Sequence, residues 1–159
     1  MEKQIKQNII TIIEILKKNN QTITFAESCT GGRVATAFTA ISGVSSVLNG
    51  SVVSYSNEIK SKWLNVKEET LIKYGAVSSE CVKEMLNGII QLANANCAIA
   101  ISGIAGPTGG TIQKPVGTVY IGIKTPNSTI IKKYLFKGDR ELIQKEATNQ
   151  SIELFLKNI

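Results

Sequence analysis

A chain of 159 residues with 43% hydrophobic and 19% charged residues is long enough to bury a core without disulfide or metal staples and too short for two ordinary domains, so residues 1–159 are expected to form one domain. The net charge of +6 comes from lysines scattered along the chain, which points away from nucleic acid and suits a small anionic ligand. Histidine is absent, excluding a Ser-His-Asp triad, a Cys-His dyad and His-ligated zinc.

Residues 2–18 place Ile5, Ile9, Ile12, Ile13 and Leu16 at helical spacing. Lys3, Lys6, Glu14 and Lys17 interrupt the apolar run, so no membrane span is expected. No small-residue cleavage site follows, and the expected location is the cytoplasm. Residues 22–26 read as a short strand, Gly31-Gly32 as a tight loop, and Val34, Ala35, Ala37 and Phe38 as a helix. A second strand is expected at 51–55, then Ser56 and Asn57 as helix caps and a short helix carrying Lys60, Trp63 and Leu64. Residues 68–74 read as another short helix.

Val82, Met85, Leu86, Ile89, Ile90 and Ala93 recur at helical spacing, with Ser78 or Ser79 as cap. Residues 97–101 form a continuous apolar run of strand length that empties into a Gly-rich loop at 102–110. Runs at 116–124 and 129–136 predict an antiparallel hairpin, and Gly138-Asp139 opens a last helix. This order predicts an α/β fold: a three-layer α/β/α arrangement with a mixed sheet that includes a C-terminal antiparallel hairpin. Ligands of such sheets collect at the carboxyl ends of strands.

Three segments carry candidate chemistry. Glu27-Ser28-Cys29-Thr30-Gly31-Gly32 crowds three nucleophile-capable side chains and a carboxylate at a strand exit. Taken alone, it reads first as a capped turn in which Ser28 or Thr30 accepts from helix N–H groups. Tyr55 and Lys60 put a phenol at a strand end and an amine about one turn into the next helix. A neutral lysine, or a tyrosinate stabilised by that lysine, can take a serine proton where histidine is missing. By spacing alone, Lys60 is also an ordinary solvated lysine and Tyr55 a half-buried strand aromatic. The 102–111 loop, with four glycines, suits backbone N–H donation to an anion or a carbonyl oxygen, and an ordinary long turn has the same composition. Arg140, at a helix start, suits a phosphate or a capped surface position. Cys29, Cys81 and Cys97 form an odd set without CxxC spacing, so reduced, packed thiols are expected and no metal or cofactor is called for.

Taken together, Ala26-Glu-Ser-Cys-Thr-Gly-Gly32, Gly50-Ser-Val-Val-Ser-Tyr-Ser-Asn57 with Lys60, Tyr74-Gly-Ala-Val-Ser78, Ser102-Gly-Ile-Ala-Gly-Pro107 and Lys114-Pro-Val-Gly-Thr118 resemble the C-terminal domain of the CinA family over nearly the whole chain. The resemblance implies a stand-alone nicotinamide mononucleotide amidohydrolase that forms nicotinic acid mononucleotide and ammonia in pyridine nucleotide recycling. It further implies Ser28 as nucleophile, Tyr55 and Lys60 as its activating partners, and a homodimer or larger assembly. N–H groups near Thr30, Gly31 and Gly32, or near Ser102 and Gly103, are the expected oxyanion donors. Arg140 and the loop from Gly106 to Gly110 are expected to take the phosphate, with Asn57 and Ser102 as further polar contacts. Ser102 stands where relatives often carry threonine, and Thr108 where an aspartate is common. The competing readings are a non-catalytic nucleotide-binding module linked to competence or DNA repair, and a different small-molecule amidase or esterase.

Overall fold

The computed structural model describes residues 2–159. Its elements run α1 (Lys3–Lys18), β1 (Ile23–Glu27), α2 (Arg33–Thr39), a 3-10 turn (Val44–Ser46), β2 (Leu48–Val53), α3 (Asn57–Leu64), α4 (Glu68–Tyr74), α5 (Ser79–Ala93), β3 (Cys97–Gly103), β4 (Thr118–Lys124), β5 (Thr129–Leu135) and α6 (Arg140–Leu156). They build a five-stranded mixed sheet in the order β2-β1-β3-β4-β5, with helices on both faces. β2, β1 and β3 are parallel, and β4 and β5 complete the sheet as the antiparallel hairpin. Among the described residues no helix is long and apolar enough to cross a membrane.

Side-chain size on alternate strand positions separates the layers. Ile23 and Phe25 of β1, Ile99 and Ile101 of β3, and Val119, Ile121 and Ile123 of β4 point to the face covered by α1, α2 and α6. Successive strand residues point to opposite faces, so Ala26, Ala98 and Ala100 lie under α5 with Val82, Met85, Leu86 and Ile89. Gly122 belongs to this small set: a Cβ there would stand 2.6 Å from Val82 Cγ1 and 2.8 Å from Leu86 Cδ1. Small residues under one helix and large ones under the others let α5 pack close while the opposite layer stands further off.

The topology places a crevice. From β1 the chain passes through α2 to β2 on one side of β1, then returns through α3, α4 and α5 to β3 on its other side. Right-handed crossovers running in opposite directions lie on opposite faces of the sheet. The carboxyl ends of β1 and β3 therefore splay apart where the strand order reverses, the usual ligand position in open α/β sheets.

Several boundaries differ from the sequence reading. The second strand covers 48–53 rather than 51–55, because its partner β1 ends at Glu27, which pairs with Val53. Tyr55 thus lies beyond the sheet. β3 runs on to Gly103, with Ser102 opposite Tyr120 and Gly103 opposite Val119, so both belong to the strand and not to the loop. The last helix, by contrast, opens where the sequence reading put it: it begins at Arg140, with the Asp139 side chain accepting from Leu142 N at 2.9 Å as its cap. The 3-10 turn had no sequence signal.

Candidate active site

Alternation along β1 continues into the turn that follows it. Glu27 lies on the α2 side, as Phe25 does, and Ser28 faces the α3 side, as Ala26 faces α5. The buried Glu27 carboxylate accepts from Thr30 Oγ1 at 2.7 Å, Gly32 N at 3.1 Å, Val34 N at 3.1 Å and Ala35 N at 2.9 Å. It satisfies the amides that a helix start leaves unpaired, and its charge suits the positive end of the helix. The cap of α2 is therefore Glu27, and Ser28 is left to the cleft.

Lys60 is held opposite. The Ser56 hydroxyl caps α3 by accepting from Ile59 N at 3.2 Å, which places Lys60 one turn into the helix on the same buried face as Leu64. Only 1% of Lys60 is exposed. Its Nζ lies 3.1 Å from Ser28 Oγ, 2.8 Å from the Ser54 carbonyl and 3.3 Å from the Tyr55 carbonyl. Ser54 N donates to the Glu27 carbonyl at 2.8 Å, so the segment presenting these carbonyls is tied to the end of β1. Burial lowers the Lys60 pKa below the ordinary lysine value, and thiolate charge at Cys81 or Cys29 would oppose that shift. Cys29 is no rival nucleophile: burial pushes its thiol up to about 12, and it stays protonated.

Ser28, Lys60, Asn57, Gly106 and Arg140 line one cleft of about 260 Å³, just below the usual span of small-molecule sites, on the order of 300–1,000 Å³. The residues lining it include two cations, Lys60 and Arg140, and no carboxylate. Arg140 Nη1 donates to the Gly106 carbonyl and Nη2 to the Tyr55 phenol, each at 2.7 Å. Gly106 has φ +76°, and a Cβ there would meet Val116 Cγ1 at 2.5 Å, so only glycine can turn the chain at this point and offer that carbonyl. Lys114 Nζ fastens the same loop to the Tyr74 carbonyl at 2.7 Å.

Other residues singled out in the sequence have different surroundings. Tyr55 is 57% exposed. Its phenol bonds Arg140, and its link to Lys60 runs through the main chain. Ser102 Oγ donates to the Ala76 carbonyl at 2.8 Å, which anchors the segment before α5 to the end of β3. The side chain of Thr30 and the amide of Gly32 bind Glu27, and the amide of Gly31 donates to the Ser28 carbonyl at 3.0 Å, so this turn supports Ser28 from behind and does not line the cleft. Glu27 as a cap escaped the sequence reading, although its parity with Phe25 was a usable signal. Gln144, whose Nε2 donates to the Cys29 carbonyl at 2.8 Å, carried no local signal, because it reaches the turn from α6. Among the described residues no group of three or more cysteine, aspartate or glutamate side chains could hold a metal ion.

The family model described as the CinA C-terminal domain matches residues 5–159. The chain is 49% identical over 148 residues to a CinA-like protein of Fervidobacterium nodosum, covering 93% of this chain and 36% of that protein. It is 46% identical over 148 residues to a CinA-like protein of Thermotoga neapolitana, again covering 93% of this chain and 36% of the relative. It thus spans about a third of the length of these curated relatives. Among solved structures, competence damage-inducible protein A of Klebsiella pneumoniae superposes with a TM-score of 0.93 at 36% identity, covering 97% of this chain and 96% of that one. A competence/damage inducible protein of Agrobacterium tumefaciens does so with a TM-score of 0.93 at 34% identity, covering 97% and 94%.

Proposed function

The chain belongs to the CinA C-terminal domain family, and on that premise we propose that it hydrolyses the carboxamide of nicotinamide mononucleotide, with Ser28 as nucleophile and Lys60 as its base. The observation that carries this reading is the 3.1 Å contact between a buried lysine amine and a serine hydroxyl at the switch point of the sheet. A serine hydroxyl set against a buried amine is the arrangement of a nucleophile beside its base, which a module that only bound a nucleotide does not require.

Lys60 in its neutral form takes the Ser28 proton as Oγ attacks the carboxamide carbon. Backbone N–H groups at the strand ends around the cleft receive the oxyanion. The ammonium of Lys60 then gives the proton to the departing nitrogen, the C–N bond breaks, and ammonia leaves an acyl-Ser28 ester. Water, deprotonated by Lys60, attacks that ester, the C–Oγ bond breaks, and the Lys60 ammonium returns the proton to Ser28 Oγ, with nicotinic acid mononucleotide as the second product. Arg140 at the cleft mouth meets the phosphate. This reaction belongs to the recycling of pyridine nucleotides.

The deciding experiment incubates the pure protein with nicotinamide mononucleotide, nicotinamide riboside and NAD and measures ammonia. Release from the mononucleotide above the other two is expected. Release from none of them would favour the binding module, and preference for another amide or ester would make this a different hydrolase on the same pair.

A further inference from the structure

Tyr55 touches both cationic groups of the cleft, but through different atoms. Its main-chain carbonyl accepts from Lys60 Nζ at 3.3 Å, and its phenol oxygen accepts from Arg140 Nη2 at 2.7 Å. The Arg140 guanidinium also donates to the Gly106 carbonyl at 2.7 Å. It therefore spans the mouth of the cleft, between the connection that follows β2 and the loop that follows β3.

Both acceptors are neutral, and no carboxylate is among the residues lining the cleft, so the guanidinium is oriented without its charge being matched. A guanidinium carries five N–H donors in a planar fork. Two of them hold it in place and the others stay available for an oxyanion. An arginine already held at the mouth gives up less side-chain freedom when it clamps an anion than one that swings free. The phenol, more than half exposed and bonded to Arg140, is joined to the reacting pair only by a main-chain carbonyl, which carries no proton.

Resting on the reading of a mononucleotide ligand, we infer that Tyr55 is a positioning residue that sets specificity for the phosphorylated ligand by holding Arg140 at the cleft mouth, and that it takes no part in proton transfer.

Tyr55→Phe removes only the phenol oxygen and keeps the ring and the carbonyl that Lys60 uses. The variant should raise KM for nicotinamide mononucleotide roughly five- to tenfold, the scale of one hydrogen bond to a charged group at a partly exposed site, while kcat changes by less than about twofold. The pH dependence of kcat should stay where it is in the wild type. In an Arg140→Ala background the same substitution should add nothing, because residues acting through one another are non-additive. A fall in kcat with a displaced pH profile, or an additive effect on KM in that background, overturns the inference. If the wild type releases no ammonia from the mononucleotide, the amidohydrolase reading fails separately, and the inference is read from titration calorimetry. Weaker binding of nicotinamide mononucleotide by Tyr55→Phe, with nicotinamide riboside unaffected, supports it. Unchanged binding by the variant, or a wild type that binds both ligands equally or neither, overturns it.

Discussion

Lys60 Nζ and Ser28 Oγ lie 3.1 Å apart across 32 residues of sequence, and the other partners of that nitrogen are the carbonyls of Ser54 and Tyr55. Carbonyls only accept. A neutral amine has two hydrogens and one lone pair, so with both hydrogens directed at the carbonyls the lone pair is left for the serine proton. Burial favours that neutral form, because it lowers the Lys60 pKa.

Ser28→Ala should lower kcat/KM for nicotinamide mononucleotide by about a thousandfold or more, the usual scale for removing a nucleophile. The hydroxyl contributes little to packing, so the thermal melting temperature should stay close to that of the wild type. Wild-type ammonia release by the variant would sink the mechanism.

The pH dependence follows from the lowered Lys60 pKa. Activity should rise with pH through that value, in a limb below the ordinary lysine pKa of about 10.4. Stability should change in the same direction. Between the lowered folded pKa and about 10.4 the unfolded chain binds a proton that the folded protein does not, so unfolding free energy rises with pH there, by at most about 1.4 kcal/mol per unit. Below the folded pKa both states hold the proton and the contribution is flat. Urea melts of wild type and Lys60→Met across alkaline pH should show the wild type gaining on the variant, and the opposite slope would contradict a buried, destabilised ammonium.

Glu27→Gln replaces a carboxylate that accepts three amide hydrogens and one hydroxyl with a group that has a single acceptor oxygen and an NH2 facing donors. A cost of about 2 kcal/mol is expected from donors left unpaired, lowering the melting temperature by roughly 4–8 °C. Because the same turn presents Ser28, kcat should fall as well. Calorimetry and steady-state kinetics on one preparation check both.

Gly88→Ala tests the packing that carries Lys60. Alanine ordinarily stabilises a helix interior by about 0.5–1 kcal/mol relative to glycine. Here the new Cβ would stand 1.9 Å from the carbonyl oxygen of Leu64, the last residue of α3. Backbone cannot rotate aside as a side chain can, so α5 and α3 must separate, at a cost of about 2–3 kcal/mol. A chemical-denaturation midpoint at or above that of the wild type would contradict this contact. Lys60 sits on the displaced helix, and a loss of kcat should accompany the loss of stability.

Much of the architecture was legible because it rests on local periodicity. The apolar face of α1, the continuous run of β3, the spacing of α5 and the hairpin of β4 and β5 all appear in the residue order, as does the lack of histidine that removes the commonest base. Ser28 and Lys60 stood out as candidates on residue type, and nothing in their sequence separation required them to meet.

Pairing between distant segments supplied the rest. β2 stops where β1 stops, at the register pair Val53 and Glu27, and that shared end carries Tyr55 off the sheet toward Arg140, away from the strand end where the sequence alone had placed it. Parity on β1 turns Glu27 to one face and Ser28 to the other, and only the helices packed on those faces give the two carboxyl-end neighbours different work. The α2 start takes the charge, and a lysine buried on α3 takes the hydroxyl. Local patterns name elements and reactive side chains because each residue carries its own propensity and chemistry. Partners are chosen by registers and faces, which exist only once the chain has closed on itself.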